Sequence, residues 1–153
     1  MAERSRVDRD AATQALTREN IGFLLAKAGQ RWNERLYERF AAAGFPEVRP
    51  AYGSLLIPLY EENGLRQGEL ARRARLSKQT MTTMARALER AGLVERRADP
   101  ADARATRLFL TARAHEFRPV AERVLAELDD LTERSLALEM PALKDAIRRL
   151  GDL

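Results

Sequence analysis

The spacing of apolar residues changes once, directly after Gly92, and this change restricts the fold more than any other feature of the sequence. Before Gly92, apolar residues recur every three or four positions, the spacing of helices with one buried face. After it, residues 93–97 and 107–111 have the length and composition of β-strands, and Asp99-Pro100 between them is a turn signal. The sequence therefore predicts a β-hairpin with a long loop, residues 98–106, inside an otherwise helical chain.

Helices are predicted for most of the remaining chain, over residues 17–43, 51–61, 66–74, 77–91, 112–131 and 141–150. Ser77 and Thr111 are residue types that cap helix N-termini, and Gly44 and Gly92 stand where glycine commonly ends a helix. Pro58 is expected to kink or weaken the last turn of the second helix. The predicted order is four helices, the hairpin and two further helices, which is a mainly α-helical fold.

Composition limits the chemistry that is open to the chain. Hydrophobic residues make up 45% and charged residues 33% of the 153 residues, so a folded core is expected. Cysteine is absent and His115 is the only histidine, so we expect neither thiol chemistry nor a His/Cys metal site. No apolar run approaches the roughly 18 residues of a membrane span, and residues 1–10 lack the apolar segment of a secretory signal. We therefore expect a cytoplasmic protein without metal or cofactor.

Positive charge is concentrated in the middle of the chain. Residues 66–107 contain eleven Lys/Arg and five Asp/Glu, a net charge of +6, whereas the rest of the chain has 16 basic and 18 acidic residues, a net charge of −2. A basic module within a more acidic scaffold is typical of proteins that bind a polyanion. A solvated arginine-rich face is the alternative interpretation of charge alone.

The fourth predicted helix, residues 77–91, has two different faces. Met81, Met84, Ala85 and Leu88 share one of them, and the opposite face has no acid before Glu89. A helix that enters the DNA major groove needs such a face, because amides and arginine bind base edges while hydroxyls and lysine hold phosphates. An ordinary solvated face is the alternative, although such faces usually interleave acids with lysines. The predicted DNA-contacting residues here are Ser77, Lys78, Gln79, Thr80, Thr82, Thr83 and Arg86.

Arginines also cluster on the predicted hairpin, and we predict that they contact DNA. A hairpin of this kind can lie along the phosphates and insert an arginine at its tip into the minor groove. Asp99 and Asp102 do not suit contact with a polyanion. One of them can pair with a hairpin arginine and set its direction, or both can simply form the turn. The hairpin arginines are Arg96, Arg97, Arg104 and Arg107.

The stretch from Leu65 to Thr111 resembles the MarR family of winged helix–turn–helix transcriptional regulators. The hairpin, called the wing in such proteins, is the most specific part, since generic helix–turn–helix proteins lack Asp-x-Arg followed by Leu-Thr. The family usually has two adjacent arginines after the wing aspartate, and here the first is Ala103, which leaves Arg104 as the matching wing arginine. The resemblance is carried by Glu69-Leu70-Ala71, Ser77-Lys78-Gln79-Thr80, residues 88–94, residues 99–104 and Leu110-Thr111.

The resemblance implies a homodimer with interlocking first and last helices, acting as a ligand-responsive repressor on a near-palindromic operator in double-stranded DNA. The composition of the terminal helices is consistent with a homodimer, because these helices carry more apolar residues than a monomer surface usually exposes. These are Leu125, Leu128, Leu131, Leu136, Leu138, Leu143, Ile147 and Leu150. The resemblance also implies a small aromatic or phenolic effector, for which Trp32, Arg49, Tyr52 and His115 are candidate pocket residues, although aromatic residues at helical spacing more often belong to a core.

The expected domain organisation has three parts. Residues 1–16 form a flexible segment, residues 17–48 and 112–153 form a helical dimerisation region, and residues 49–111 form the winged helix–turn–helix lobe.

The sequence leaves two other classes of function open. A helical dimer that binds a protein partner with the same fold is the main alternative, and the steep salt dependence of phosphate contacts distinguishes the two. An enzyme is the weaker alternative, because the sequence has no Gly-rich phosphate loop and His115 has no evident nucleophile beside it. We expect no catalytic residues.

Overall fold

A computed structural model of the chain describes residues 18, 20–137 and 139–152. Its elements are α1 (Ile21–Ala42), a 3₁₀ turn (Pro50–Tyr52), α2 (Gly53–Glu61), β1 (Leu65–Arg66), α3 (Gln67–Arg73), α4 (Lys78–Arg90), β2 (Val94–Asp99), β3 (Asp102–Leu110), α5 (Ala112–Leu136) and α6 (Met140–Gly151). The predicted flexible segment, residues 1–16, and the predicted helix start at Thr17 lie outside the described residues.

The chain divides into two compact units between Leu36 and Tyr37. Within its described residues, the first unit consists mainly of the larger part of α1, and the second contains the end of α1 and every later element. In the first unit Leu24 and Leu25 are exposed, whereas Leu36 is buried.

The predicted order of the helices and the hairpin is confirmed for the described residues, and two predicted helix caps have the expected geometry. The Ser77 side chain accepts a hydrogen bond from the Thr80 backbone N–H at the start of α4, and Thr111 accepts one from Ala114 at the start of α5. Gly92, which follows α4, has a φ of 71°, a conformation that glycine adopts without steric strain. Local sequence signals therefore determine where α4 and α5 begin and where α4 ends, whereas α5 continues to Leu136, beyond its predicted end at Leu131.

The hairpin differs from the prediction, because its loop is short. Its strands β2 and β3 extend to Asp99 and from Asp102, so that Pro100 and Ala101 alone connect them, where a loop of residues 98–106 was expected. Backbone pairing between the strands overrides the weak strand propensity of the alanine- and arginine-rich sequence there. The short connection makes the hairpin a stiffer projection than the sequence indicates.

A third strand, β1, was not predicted. It consists of Leu65 and Arg66 and pairs antiparallel with β3, which gives the strand order β1-β3-β2. Two residues carry no periodic signal, so a strand of this length exists only through its partner. Because β1 leads directly into α3, it attaches the helix–turn–helix pair to the hairpin.

The core of the second unit lies where α2, α3 and α4 pack around the sheet. Its fully buried side chains include Leu55, Leu59, Leu70, Met81, Leu88, Leu93 and Leu108. A second group of contacts involves Phe117 on α5, whose ring lies 4.9 Å from that of Phe40 and 5.2 Å from that of Phe45. Pro58 is accommodated inside α2, which continues to Glu61.

Several apolar side chains of the terminal helices remain exposed. Leu125, Leu136, Ile147 and Leu150 are exposed, whereas Leu128, which was predicted to belong to the same surface, is buried within the chain. Leu138 lies outside the described residues. Over the described part of the chain, the helices are too short or too polar to cross a membrane.

Candidate nucleic-acid interface

Helix α4 is held by its apolar face and by its N-terminal cap. Met81, Ala85 and Leu88 are buried, which turns the opposite face of the helix outwards. At the cap, the Ser77 Oγ lies 2.8 Å from the Thr80 Oγ1 and accepts the Thr80 N–H at 3.1 Å. The two predicted hydroxyl contacts, Ser77 and Thr80, thus share a hydrogen bond and fix the helix start.

Four predicted DNA-contacting residues project outwards from α4. Lys78, Gln79, Thr83 and Arg86 are exposed, and over residues 20–137 and 139–152 none of their side chains has a hydrogen-bond or ion-pair partner. Their donors and acceptors are therefore available to a ligand. The absence of acids from this face before Glu89 leaves it cationic.

Thr82 has a different environment from the other predicted residues of α4. Its Oγ1 donates to the Lys78 carbonyl at 2.9 Å and accepts from Gln67 Nε2 at 3.0 Å. A hydroxyl has a single proton to donate, and here that proton is used within the protein. Thr82 therefore joins α4 to α3 through Gln67, a residue that sequence analysis did not select.

Within the described part of the chain, three of the four wing arginines contact an acid and the fourth does not. Arg96 lies 3.5 Å from Glu89 of α4, and Arg97 pairs with Glu95 at 2.6 Å and stacks on the Phe109 ring. Arg107 lies 3.0 Å from Asp99. The guanidinium of Arg104 has no ion-pair partner among the residues described, while its backbone N–H donates to Asp102 at 3.0 Å. Asp102 thus shapes the backbone that presents Arg104.

Asp99 is the buried charged centre of the wing, with 3% of its surface exposed. Its Oδ2 accepts from Arg66 Nε at 2.5 Å and lies 3.0 Å from Arg107 Nε. Its Oδ1 accepts the Ala101 N–H at 2.9 Å. The hydrogen bond from Ala101, then the hydrogen bond from Arg66 and the positive charge of Arg107, lower the pKa of the Asp99 carboxyl, against the opposing effect of burial. Of the two alternatives for the wing aspartates, Asp99 follows the first, since it pairs with the wing arginine Arg107, and its second partner, Arg66, was missed.

An open cleft of about 620 Å³ lies between the helix–turn–helix pair and β3. Three basic residues line it, Arg66 from β1, Lys78 from α4 and Arg104 from β3, together with one acid, Glu69. Hydrogen bonds from Arg72 and Arg73 lower the pKa of Glu69 to about 2, so this carboxylate is charged but already occupied by two guanidinium groups. The cleft is therefore suited to an anion.

The predicted effector-pocket residues occupy separate environments. Arg49 stacks on the Tyr37 ring at 4.4 Å, Tyr52 is half-buried in the 3₁₀ turn, and His115 is exposed in the first turn of α5. Trp32 lies in the first unit of the chain and is half-buried. A cavity of about 320 Å³ between α2 and α5, beside Tyr60, is lined by other residues.

The fold and the geometry of this surface define the class of protein, a winged helix–turn–helix protein with a basic recognition surface. Comparison with known proteins then gives the family. The model of the MarR family matches residues 50–106. The HTH-type transcriptional repressor Rv2887 of Mycobacterium tuberculosis (strain H37Rv) is 33% identical over 132 residues, which cover 86% of this chain and 93% of that repressor. The chain belongs to the MarR family of winged helix–turn–helix transcriptional regulators.

Solved structures are similar over nearly the whole chain. The transcriptional repressor CouR, bound to a 23-mer DNA duplex, has a TM-score of 0.70 and 25% identity, over 89% of this chain and 98% of that chain. The PcaV regulator of Streptomyces coelicolor, in complex with its natural ligand, has a TM-score of 0.65 and 25% identity, over 88% of this chain and 93% of that chain. The predicted mainly α-helical fold with a hairpin wing is confirmed.

Proposed function

We propose that this protein is a DNA-binding transcriptional regulator, a homodimeric repressor that binds a near-palindromic operator and responds to a small ligand. The outward face of α4 carries the proposal, because Lys78, Gln79, Thr83 and Arg86 have no partner for their polar groups among the residues that the structure describes, and no acid stands among them. Family membership and the DNA complex of CouR support it.

In this proposal α4 lies in the major groove of double-stranded DNA. Gln79 and Arg86 read base edges, since an amide pairs with adenine and a guanidinium with guanine in bidentate fashion. Lys78, at the start of the helix, holds a phosphate, and Arg104 reaches the backbone and minor groove from the wing. The three other wing arginines, being engaged with Glu89, Glu95 and Asp99, serve mainly to stiffen the wing.

Dimerisation is supported by the exposed apolar residues of α1, α5 and α6. Phe23, Leu125, Leu136 and Ile147 expose surface that a soluble monomer usually covers. In a two-fold dimer the two copies of α4 are related by symmetry, so the operator is nearly palindromic with half-sites about 10 base pairs apart.

The proposed effector is a small aromatic or phenolic compound. The ligand complex of PcaV supports this part of the proposal. Trp32, Arg49, Tyr52 and His115 remain the candidate contacts.

A regulator of this kind acts by binding, and we propose neither a catalytic activity nor a cofactor for it. The relatives are transcriptional regulators, which favours this function over that of a dimer that binds a protein partner. Because the protein is proposed to bind genomic DNA, we propose a cytoplasmic location.

The experiment that tests the function selects bound fragments from the native genome and titrates the best of them against random DNA at several salt concentrations. We expect a much higher affinity for the selected site and a steep decrease of affinity with salt on both DNAs. A panel of aromatic carboxylates and phenols, added to the operator complex, then identifies an effector by release of the DNA. Equal affinity for selected and random DNA would argue against a sequence-specific regulator, and a shallow salt dependence would favour a protein partner.

A further inference from the structure

Arg66 and Arg107 are direct neighbours across the sheet, in register on β1 and β3. Like charges directly opposite one another on neighbouring strands destabilise a sheet. The Asp99 carboxylate relieves this repulsion, because its Oδ2 contacts the Nε of both arginines. One negative charge between two positive ones leaves the trio with a net charge of +1, and the trio can still bind an anion.

The two arginines differ in what remains of their hydrogen-bonding capacity. Arg107 also donates from Nη1 to the Gly64 carbonyl at 2.9 Å, so its guanidinium is bound on two sides. Arg66 is bound through Nε only, and its side chain is 46% exposed. Its Nη1 and Nη2 groups have no acceptor within residues 20–137 and 139–152. They are donors on a guanidinium whose other edge is fixed to a buried carboxylate.

Arg66 also stands beside two other basic residues. It lines the same cleft as Lys78 and Arg104, the two residues proposed above to contact the DNA backbone. Glu69, the acid that lines this cleft, is already held by Arg72 and Arg73. The cleft therefore presents three cations from three elements to an anion outside the protein.

We propose that Arg66 is a further DNA-phosphate contact and that Asp99 is the positioning residue that directs it. Asp99 holds the Nε edge of the guanidinium, so that the remaining donors stay directed outwards, where they bind a phosphodiester oxygen with little loss of side-chain entropy. The same carboxylate connects β1 to the wing, so Arg66 and Arg104 keep a constant separation. This inference rests on the proposed DNA-binding function.

Arg66→Gln tests the phosphate contact directly. We expect affinity for operator and random DNA to fall by a similar factor, on the order of tenfold at low salt, because a charge-assisted hydrogen bond to a phosphate carries no sequence information. The slope of log affinity against log salt should become shallower by about one. Arg66→Lys, which keeps the charge, should restore the slope. Arg90→Gln is the matched control, since it removes the same charge at the far end of α4, about 18 Å along the helix from Lys78.

Asp99→Asn tests the positioning role, because charge and position predict opposite results. The substitution makes the surface more positive by one unit, which by itself strengthens binding to a polyanion. We expect weaker binding to both DNAs, and we expect Arg66→Gln to cost less in the Asp99→Asn background than in the wild type. Glu95→Gln removes an exposed acid of the same hairpin and should leave affinity equal or higher. Circular dichroism establishes that each variant is folded at the assay temperature.

The outcomes separate this inference from the proposed function. If wild-type protein binds DNA with a steep salt dependence and Arg66→Gln leaves the slope unchanged, Arg66 is not a phosphate contact and the proposed function stands. Tighter binding by folded Asp99→Asn would overturn the positioning role. If wild-type protein shows no salt-dependent DNA binding, the proposed function itself fails. If Asp99→Asn does not fold, the comparison of Arg66→Gln with Arg66→Lys still tests the phosphate contact. The positioning role is then tested with Asp99→Glu, which keeps the carboxylate and should retain affinity for DNA; loss of affinity by folded Asp99→Glu would count against that role.

Discussion

At the scale of single residues, the side chains of the α4 face differ in whether they are already hydrogen-bonded within the protein. Gln79 and Arg86 of α4 have unengaged polar groups over the described residues, so a base edge meets no competing bond within the protein. The Thr82 hydroxyl donates its proton to the Lys78 carbonyl, so Thr82 could donate a hydrogen bond to a base only if that bond broke. Specificity should therefore depend on Gln79 and Arg86 more than on Thr82.

Substitution of these residues distinguishes contacts that read sequence from contacts that hold the backbone. Gln79→Ala or Arg86→Ala should cost on the order of 1–3 kcal/mol on the operator and much less on random DNA, since base-edge hydrogen bonds exist only at the right sequence. Arg104→Ala and Lys78→Ala should weaken both complexes more evenly and reduce the salt slope by roughly one. The measurement is a pair of salt-dependent titrations, operator against random sequence, for each variant.

Thr82→Val is a useful comparison, because it removes the internal bonds and keeps the shape of the side chain. Equal losses on both DNAs for the Gln79 and Arg86 variants would mean that α4 does not read the sequence. In that case the wing or the shape of the DNA would have to provide specificity.

At the scale of elements, the wing is held in place by a short connection from α2. Gly64 has a φ of +80°, and a Cβ added to it would lie 2.5 Å from Cε1 of Phe109 on β3. Glycine is required here both by the backbone conformation and by the aromatic ring. The close approach lets β1 pair with β3 immediately afterwards, and this pairing brings Arg66 to Asp99.

Gly64→Ala should therefore destabilise the protein. The left-handed backbone conformation costs an alanine about 1–2 kcal/mol, and displacement of the Phe109 ring adds to it. Chemical denaturation should show a free energy of unfolding lower by about 2 kcal/mol or more. Gly68→Ala is the matched control, since Gly68 lies in α3 with nothing within 4 Å of the added Cβ, and it should be neutral or stabilising. Equal stability of the two variants would contradict this account of Gly64.

At the scale of the whole molecule, the terminal helices expose apolar surface that the single chain leaves uncovered. Helix α6 has no buried residue, and Ile147 on it is 54% exposed. A helix with an apolar face gains most of its stability from the surface it packs against. The proposed homodimer provides such a surface.

Deletion of the residues after about Leu131 should yield a monomer or insoluble protein, because it removes the end of α5 and all of α6. Size-exclusion chromatography with light scattering measures the mass. Ile147→Glu retains the full chain and should shift the equilibrium towards monomer, whereas Arg149→Glu on the same helix should not. A soluble truncated protein that remains a dimer would exclude the terminal helices from the interface.

The sequence alone was sufficient to predict the order of the helices and the hairpin, and to predict that the chain has a DNA-binding surface. Helix caps such as Ser77 and Thr111 are hydrogen bonds between residues three positions apart, and the apolar spacing repeats once in each helical turn. Both signals can therefore be recognised in a short stretch of sequence. The outward face of α4 followed from the same periodicity, since burying Met81 and Leu88 leaves only one direction for Gln79 and Arg86.

Only the tertiary structure decided which of the charged residues are engaged. Arg66 and Asp99 are 33 positions apart, and nothing near either of them in the sequence indicates that they meet. The same holds for β1, which consists of two residues and depends on β3, and for Thr82, whose partner Gln67 belongs to another helix. Pairings of this kind arise when distant segments pack together, because a hydrogen bond or an ion pair depends on atoms a few ångströms apart and not on neighbours in the chain.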